Sequence, residues 1–387
     1  MKNSMSPWPS FTQEEADVIT RVLLSNNVNY SINGEGKKFE KEFAEWCNIQ
    51  YAIALANGTV ALELALKVLN VTVGDEVIVT PRSFIASVSC IVNVGATPIF
   101  ADVDRNSGNI TAKSINNKVS SRTKAIICVH LAGFPCDMDG IMQLAHEKNL
   151  YVIEDCAQAH GAKYRGRPVG SIGDIGCYSF CQDKIMTTGG EGGMVVTNNE
   201  NLWRKMWAYK DHGKSYKSLF EAQNPSNQYH SFGTNWRMTE MQAAIGRVQL
   251  GKMDVWHKKR KDNVQAILKV CAEFDNVLRV SEIDNFIEHA WYKLYVYVRQ
   301  EGLKEGWSRD RIIEEINLLG ILCYSGTCPE IYLEKAFDDK YRPKERLPNA
   351  KELGETSLMF LIHPTLTFAD IKNTCKAISS VLELASH

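Results

Sequence analysis

The sequence predicts an α/β protein: a large N-terminal domain on a mostly parallel sheet of seven strands, then a smaller C-terminal α/β domain. Three observations carry that expectation. Between residues 50 and 200, short β-branched runs alternate with longer helical stretches. Most of these runs are apolar on both faces, as strands are when helices cover both sides of a parallel sheet. From about residue 250 the alternation gives way to charged helical sequence, and 387 residues with 44% hydrophobic content exceed the size at which one core keeps growing. The expected division is residues 1–250, an N-terminal segment with the large domain, and 251–387.

In chain order the expected strands are "YAIAL", "EVIVT", "TPIFAD", "AIICVH", "YVIED", "GCYSF" and "GMVVT". Between them "TVALELALKVLN" reads as a helix with Glu63 and Lys67 paired one turn apart. "SFIASVSCIVNV" reads as a second, and "MDGIMQLAHEKN" as a third that Asp137 is placed to cap. Farther on, "TEMQAAIGRVQL" is an apolar helix, and "KMDVWHKKRKDNVQAILKVCAEF" a crossover helix into the second domain.

Lys and Arg total 44 against 45 for Asp and Glu, so charge gives no reason to expect nucleic acid or an anionic membrane as partner. The run "HKKRK", residues 257 to 261, reads as a solvated helix face. Eleven scattered cysteines, several in apolar runs, point to a reducing cytoplasm. Neither Cys177 with Cys181 nor Cys323 with Cys328 has the two-residue spacing of a zinc pair, so no metal is expected. "MKNSMSPWPSFTQEEAD" lacks the apolar core of a signal peptide, and no apolar run reaches the roughly 18 residues of a membrane span. The N-x-[ST] matches at Asn29, Asn57 and Asn109 are then chance or serve another purpose.

Ligands of such sheets collect beyond the carboxyl ends of the strands. After "YAIAL", Asn57-Gly58-Thr59 forms a strand–turn–helix junction whose free N–H groups favour a phosphate. After "EVIVT" stands Phe84, which alone reads as core. "YVIED" ends on Glu154 and Asp155, with Gln158 and His160 following. A carboxylate that deep is costly without a cation or strong donors, and a structural salt bridge is the competing reading. After "GCYSF" comes Lys184, ahead of "GGEGG" and not behind it, so a nucleotide P-loop is excluded. Phosphate cradle, aromatic, buried acid and lysine together suit pyridoxal phosphate, which needs a held phosphate, a stacked ring, a protonated ring nitrogen and a lysine tether.

The chain resembles the DegT/DnrJ/EryC1/StrS nucleotide-sugar aminotransferases, within the fold type I pyridoxal phosphate enzymes. The resemblance rests on "ANGTVALELAL", "GDEVIVTPRSFIAS", "GATPIFADVD", "VHLAGFPCDMD", "VIEDCAQAHGA", "GSIGDIGCYSF", "MTTGGEGG" and "NWRMTEMQAAIG". It implies that Lys184 tethers the cofactor and carries the proton, that Asp155 bonds the ring nitrogen, and that Gln158 faces the phenolic oxygen. Phe84 takes the stacking place, Gly58, Thr59 and Ser179 hold the phosphate, and Asn235 reaches it from the neighbouring subunit of a homodimer. Tyr324, Ser325 and His363 are the implied substrate contacts. The extra glycine in "TTGGEGG" departs from the family's usual "TTGEGG" and bears on the shape of that loop.

The implied reaction passes an amino group from glutamate to a nucleotide-linked keto sugar, by family frequency a 4-keto-6-deoxyhexose on dTDP, UDP or GDP, for O-antigen or other glycan synthesis. A 3-keto-sugar aminotransferase is the neighbouring reading. A sugar dehydratase of the same fold carries histidine in place of the lysine, and a pyridoxal phosphate-binding regulator has no need of an intact set of catalytic groups.

Overall fold

A computed structural model describes residues 5–31, 33–221 and 228–387; the first four residues of the opening stretch lie outside it. Helices α1 (Gln13–Leu24) and α2 (Glu35–Trp46) precede β1 (Tyr51–Leu55). Then come α3 (Gly58–Val68), β2 (Glu76–Val79), α4 (Ala86–Asn93), β3 (Thr97–Phe100), α5 (Ala112–Asn116), β4 (Thr123–Val129), α6 (Met138–Lys148) and β5 (Tyr151–Asp155). A hairpin of β6 (Lys163–Tyr164) and β7 (Arg167–Pro168) leads to β8 (Ile175–Ser179) and β9 (Gly193–Thr197). Helices α7 (Glu200–Lys210), α8 (Tyr216–Phe220), α9 (Glu240–Leu250) and α10 (Met253–Ala272) follow. The remainder is β10 (Leu278–Val280), β11 (Ile287–Glu288), β12 (Lys293–Val298), α11 (Arg309–Leu318), β13 (Cys323–Tyr324), α12 (Pro348–Thr356), β14 (Ser357–Leu361) and α13 (Phe368–Ala385).

All seven expected runs join one sheet, in the order β1-β9-β8-β5-β4-β2-β3. Strand β9 is antiparallel to both its neighbours, and the pairings from β8 through to β3 are parallel. The carboxyl ends of β1, β2, β5 and β8 therefore lie along one edge. A second sheet, β10-β12-β14-β13, is antiparallel throughout, and its core draws on α10, α11 and α13.

We propose the division near residue 250 that the sequence predicts. Two segments reach across it. Met5 packs in the core of the second sheet. Tyr332 and Phe337 pack with the first, meeting Phe100 edge-on at centroid distances of 5.3 and 6.1 Å.

Two local expectations are corrected. Asp137 occupies the cap position of α6 but gives no side-chain cap; its carboxylate accepts the Tyr164 hydroxyl at 2.8 Å instead. The run "HKKRK" is not uniformly solvated. It spans more than one turn of α10, so one residue must face inward, and Arg260 does, at 1% exposure.

Candidate active site

At the end of β1, the Asn57 side chain accepts the Val60 N–H at 3.0 Å and starts α3 at Gly58. The N–H groups of Gly58 and Thr59 have no partner inside the helix and stand at its positive end. Ser179, ending β8, abuts this turn: a Cβ on Gly58 would lie 2.5 Å from the Ser179 Cβ, so only glycine lets the helix begin there. The three residues form a cradle shaped for an anion.

At the end of β5 the two carboxylates part. Glu154 takes the structural role: it accepts N–H groups from His130 at 3.0 Å, Gly170 at 2.8 Å, Ile172 at 2.8 Å and Gly173 at 2.6 Å. The His130 Nδ1 accepts the Cys136 N–H, so its Nε2 is the donor to Glu154. Burial works against the Glu154 charge, yet His130 and the backbone donors hold its carboxyl below the usual range. Asp155, 4% exposed, has two donors, the Ser87 hydroxyl at 2.7 Å and the Ala157 N–H at 3.1 Å. Burial pushes its carboxyl up, against the pull of those donors and of the Lys184 charge. It forms no ion pair among the described residues.

The Lys184 Nζ lies 3.8 Å from the Asp183 carboxylate and 5.2 Å from the centre of the Tyr292 ring. It opens on a cavity of about 600 Å³ lined also by Phe84, Gln158, Tyr324 and His363. Phe84 is 59% exposed, so the core reading of that ring is wrong: it stands at the cavity mouth. The Gln158 carbonyl accepts the Ala132 N–H at 2.8 Å, in a turn braced by Asn109, which leaves the glutamine's amide nitrogen for the cavity. Asn57 and Asn109 thus have structural uses that their N-x-[ST] pattern does not convey.

The other expected residues divide. His363 is buried at the cavity, its Nδ1 2.8 Å from the Thr365 hydroxyl, and burial beside Arg260 and Lys293 pushes it down to about 3. Ser325 is not among the cavity residues; Gly326 and Thr327 reach it instead, and the Ser325 carbonyl accepts the Ser357 hydroxyl at 2.5 Å. Asn235 is exposed, and its segment pairs with the end of β1, where the Ala56 N–H donates to the Trp236 carbonyl at 2.9 Å. Like Gly58, Thr59 and Ser179, Asn235 is not among the residues lining the Lys184 cavity. Nor does it cap α9, whose cap is Thr239 in a reciprocal box with Gln242. The extra glycine lies in a left-handed pair, Gly189 and Gly190 at φ 88° and 126°, and the Glu191 carbonyl that follows accepts the Gln242 amide at 2.9 Å.

Several residues of the site have no counterpart in the sequence reading. The Trp8 indole N–H donates to the Lys184 carbonyl at 2.9 Å, and its ring stacks on His363 at 6.0 Å. Ser87 lies one helical turn from Ser83, whose hydroxyl is 2.9 Å away. Tyr292 bonds the Asp183 carboxylate, and Lys293 lines the cavity. The available signals were weak: a tryptophan in a polar opening stretch, and a lone cation heading "KLYVYV".

The residues present fit pyridoxal phosphate. An anion cradle excludes any side chain at Gly58, a buried carboxylate is left short of donors, and a lysine's charge is felt at that carboxylate. The chain matches the family model described as the DegT/DnrJ/EryC1/StrS aminotransferase family over residues 9–379. It superposes on the crystal structure of an aminotransferase from Psychrobacter cryohalolentis with a TM-score of 0.96 and 61% identity, over 98% of this chain and 99% of that one. It is 34% identical to GDP-perosamine synthase of Escherichia coli O157:H7, over 96% of each chain. It is 32% identical to dTDP-3-amino-3,6-dideoxy-alpha-D-galactopyranose transaminase of Aneurinibacillus thermoaerophilus, over 95% of each.

Proposed function

Because the chain belongs to the DegT/DnrJ/EryC1/StrS aminotransferase family, we propose that it uses pyridoxal 5′-phosphate to move an amino group from glutamate to a nucleotide-linked keto sugar. The carrying observation is the pairing of an under-bonded buried acid, Asp155, with Lys184 at one sheet edge beside an anion cradle. A 4-keto-6-deoxyhexose on dTDP, UDP or GDP is the acceptor we favour, and amination at C3 is the second reading, in line with the 3-amino product in the name of the Aneurinibacillus relative. No helix among the described residues is long and apolar enough to cross a membrane, and all eleven cysteines are unpaired, in keeping with work in the cytoplasm.

Gly58, Thr59 and Ser179 would hold the phosphate, Phe84 the ring face and Gln158 the phenolic oxygen. Bound there, the cofactor supplies an electron sink for negative charge at the donor's α-carbon and then at the sugar carbon. Lys184 takes the proton from the first carbon and returns one to the second. Asp155, fixed by Ser87 and Ala157, keeps a proton on the ring nitrogen through charge in a dry site. Trp8 steadies the Lys184 main chain from the N-terminal segment.

The test is a panel of dTDP-, UDP- and GDP-linked keto sugars offered with glutamate, with products read by mass spectrometry. Amino sugar and 2-oxoglutarate in equal amounts support the reading. Loss of water without amination would point to a dehydratase, and cofactor binding without any turnover to a regulator.

The exposed Asn235 supports a site shared in a homodimer, with each Asn235 serving the partner's phosphate. Beside it Tyr229 is 62% and Phe232 99% exposed, which suits a covered surface. Mixing Lys184→Ala and Asn235→Ala enzymes under subunit exchange should then regain about half the wild-type rate per heterodimer, since one site in two is intact. No recovery from two impaired parents would mean that Asn235 acts within its own subunit.

A further inference from the structure

The cavity beside Lys184 holds a second amine that the proposed reaction has not used. Lys293 opens β12, and its Nζ lies 4.7 Å from the centre of the Tyr292 ring, whose centre is 5.2 Å from the Lys184 Nζ. One aromatic ring thus touches both amines. Tyr292 spends its hydroxyl on Asp183, the one carboxylate among the described residues of the cavity lining. The Lys293 ammonium has no hydrogen bond or ion pair among the described residues. Behind it Arg260 is buried and donates to the Trp291 and Tyr292 carbonyls at 3.2 and 3.4 Å, adding positive charge with no carboxylate of its own. Burial pushes Lys293 down to about 8, with Asp183 pulling the other way and Arg260 and Lys184 adding to the fall. An amine withdrawn from water, whose one nearby carboxylate is already engaged by Tyr292 and lies beside Lys184, favours an anionic ligand, which would restore its charge.

We propose that Lys293 binds the α-carboxylate of the amino-acid donor while Lys184 works on the adjoining carbon. This rests on the reading of the site as an aminotransferase. The α-carboxylate is one bond from the carbon whose proton Lys184 moves, so its cation must stand near that amine, and Lys293 shares both the cavity and the Tyr292 ring with it. The phosphates of a sugar nucleotide are several bonds from the keto carbon and belong farther out. A sugar bearing its own carboxylate would present the same chemistry, and the experiment separates the two sources.

The holoenzyme is compared with Lys293→Met and Lys293→Arg. Glutarate, a dicarboxylate without an amine, is titrated by calorimetry, and KM is measured for glutamate, for its α-carboxamide isoglutamine and for the keto sugar. Glutarate binding and the glutamate KM should each worsen about tenfold or more in Lys293→Met, in line with loss of a charge-assisted contact, and largely recover in Lys293→Arg. Isoglutamine should be handled equally poorly by wild type and Lys293→Met, and the keto-sugar KM should stay within about twofold of wild type. Glutarate binding unchanged in Lys293→Met, or a loss confined to the keto sugar, overturns the proposal. Weakened glutarate binding in an enzyme that never turns over glutamate would leave the carboxylate site standing and sink the transamination reading instead.

Discussion

Glu154 and Asp155 are adjacent, equally deep at the end of β5, and face opposite sides of the sheet. Glu154 is closed off by His130 and three backbone N–H groups. Asp155 has only Ser87 and Ala157, and Lys184 is the main charge that favours its ionised form. A buried carboxylate with a full set of donors serves the fold; one left short carries a cost that the fold itself does not repay. The difference separates a structural face of the sheet from a chemical one, and substitutions on the two faces should fail in different ways.

The largest effect belongs to the chemical face. Lys184→Ala should lose about 10⁴-fold in turnover, as loss of a proton carrier does, with its unfolding midpoint unmoved. Asp155→Asn should lower turnover about 10²- to 10³-fold and leave stability equal or higher, because a desolvated charge is gone. Unchanged rates in that variant would return Asp155 to a structural role. Glu154→Gln should reverse the pattern, costing about 3 kcal/mol in urea unfolding while turnover of the folded enzyme stays within about threefold of wild type.

The smallest effect is in pH. The Glu154 carboxyl is held below its ordinary 4.5, so its stabilisation is complete above that pH and is lost as pH falls through the folded value. The Asp155 carboxyl is raised above 3.8, so its ionisation costs stability above the folded value, and that cost fades as pH falls toward 3.8. As pH falls from 7 toward 4 the stability difference between wild type and Asp155→Asn should therefore shrink, and the Glu154→Gln difference should hold until the pH drops below about 4.5.

Much of this site was legible because chain order and sheet geometry are tied. A strand buried on both faces shows as an apolar run, and the residue after it must lie at the ligand edge, which places Gly58, Asp155 and Lys184 without any knowledge of packing. Trp8 and Lys293 depend on how distant segments meet: Trp8 reaches a carbonyl 176 positions away, and no local pattern encodes that contact. Arg260 is a different case: a basic run on a helix shows its charge, but the helical repeat of Met253, Val264, Ile267 and Cys271 places Arg260 on the inward face, a signal that reading the run as solvated passes over. At Tyr324 and Ser325 the turn that follows decided the matter, carrying Thr327 to the cavity and Ser325 away from it.

The most direct test of Lys184 as the lysine of the chemical face is to reduce the holoenzyme with borohydride, digest it and map the cofactor-bearing peptide. The adduct is predicted on Lys184 and should be absent from Lys184→Ala; an adduct on Lys293 or any other lysine would contradict the assignment.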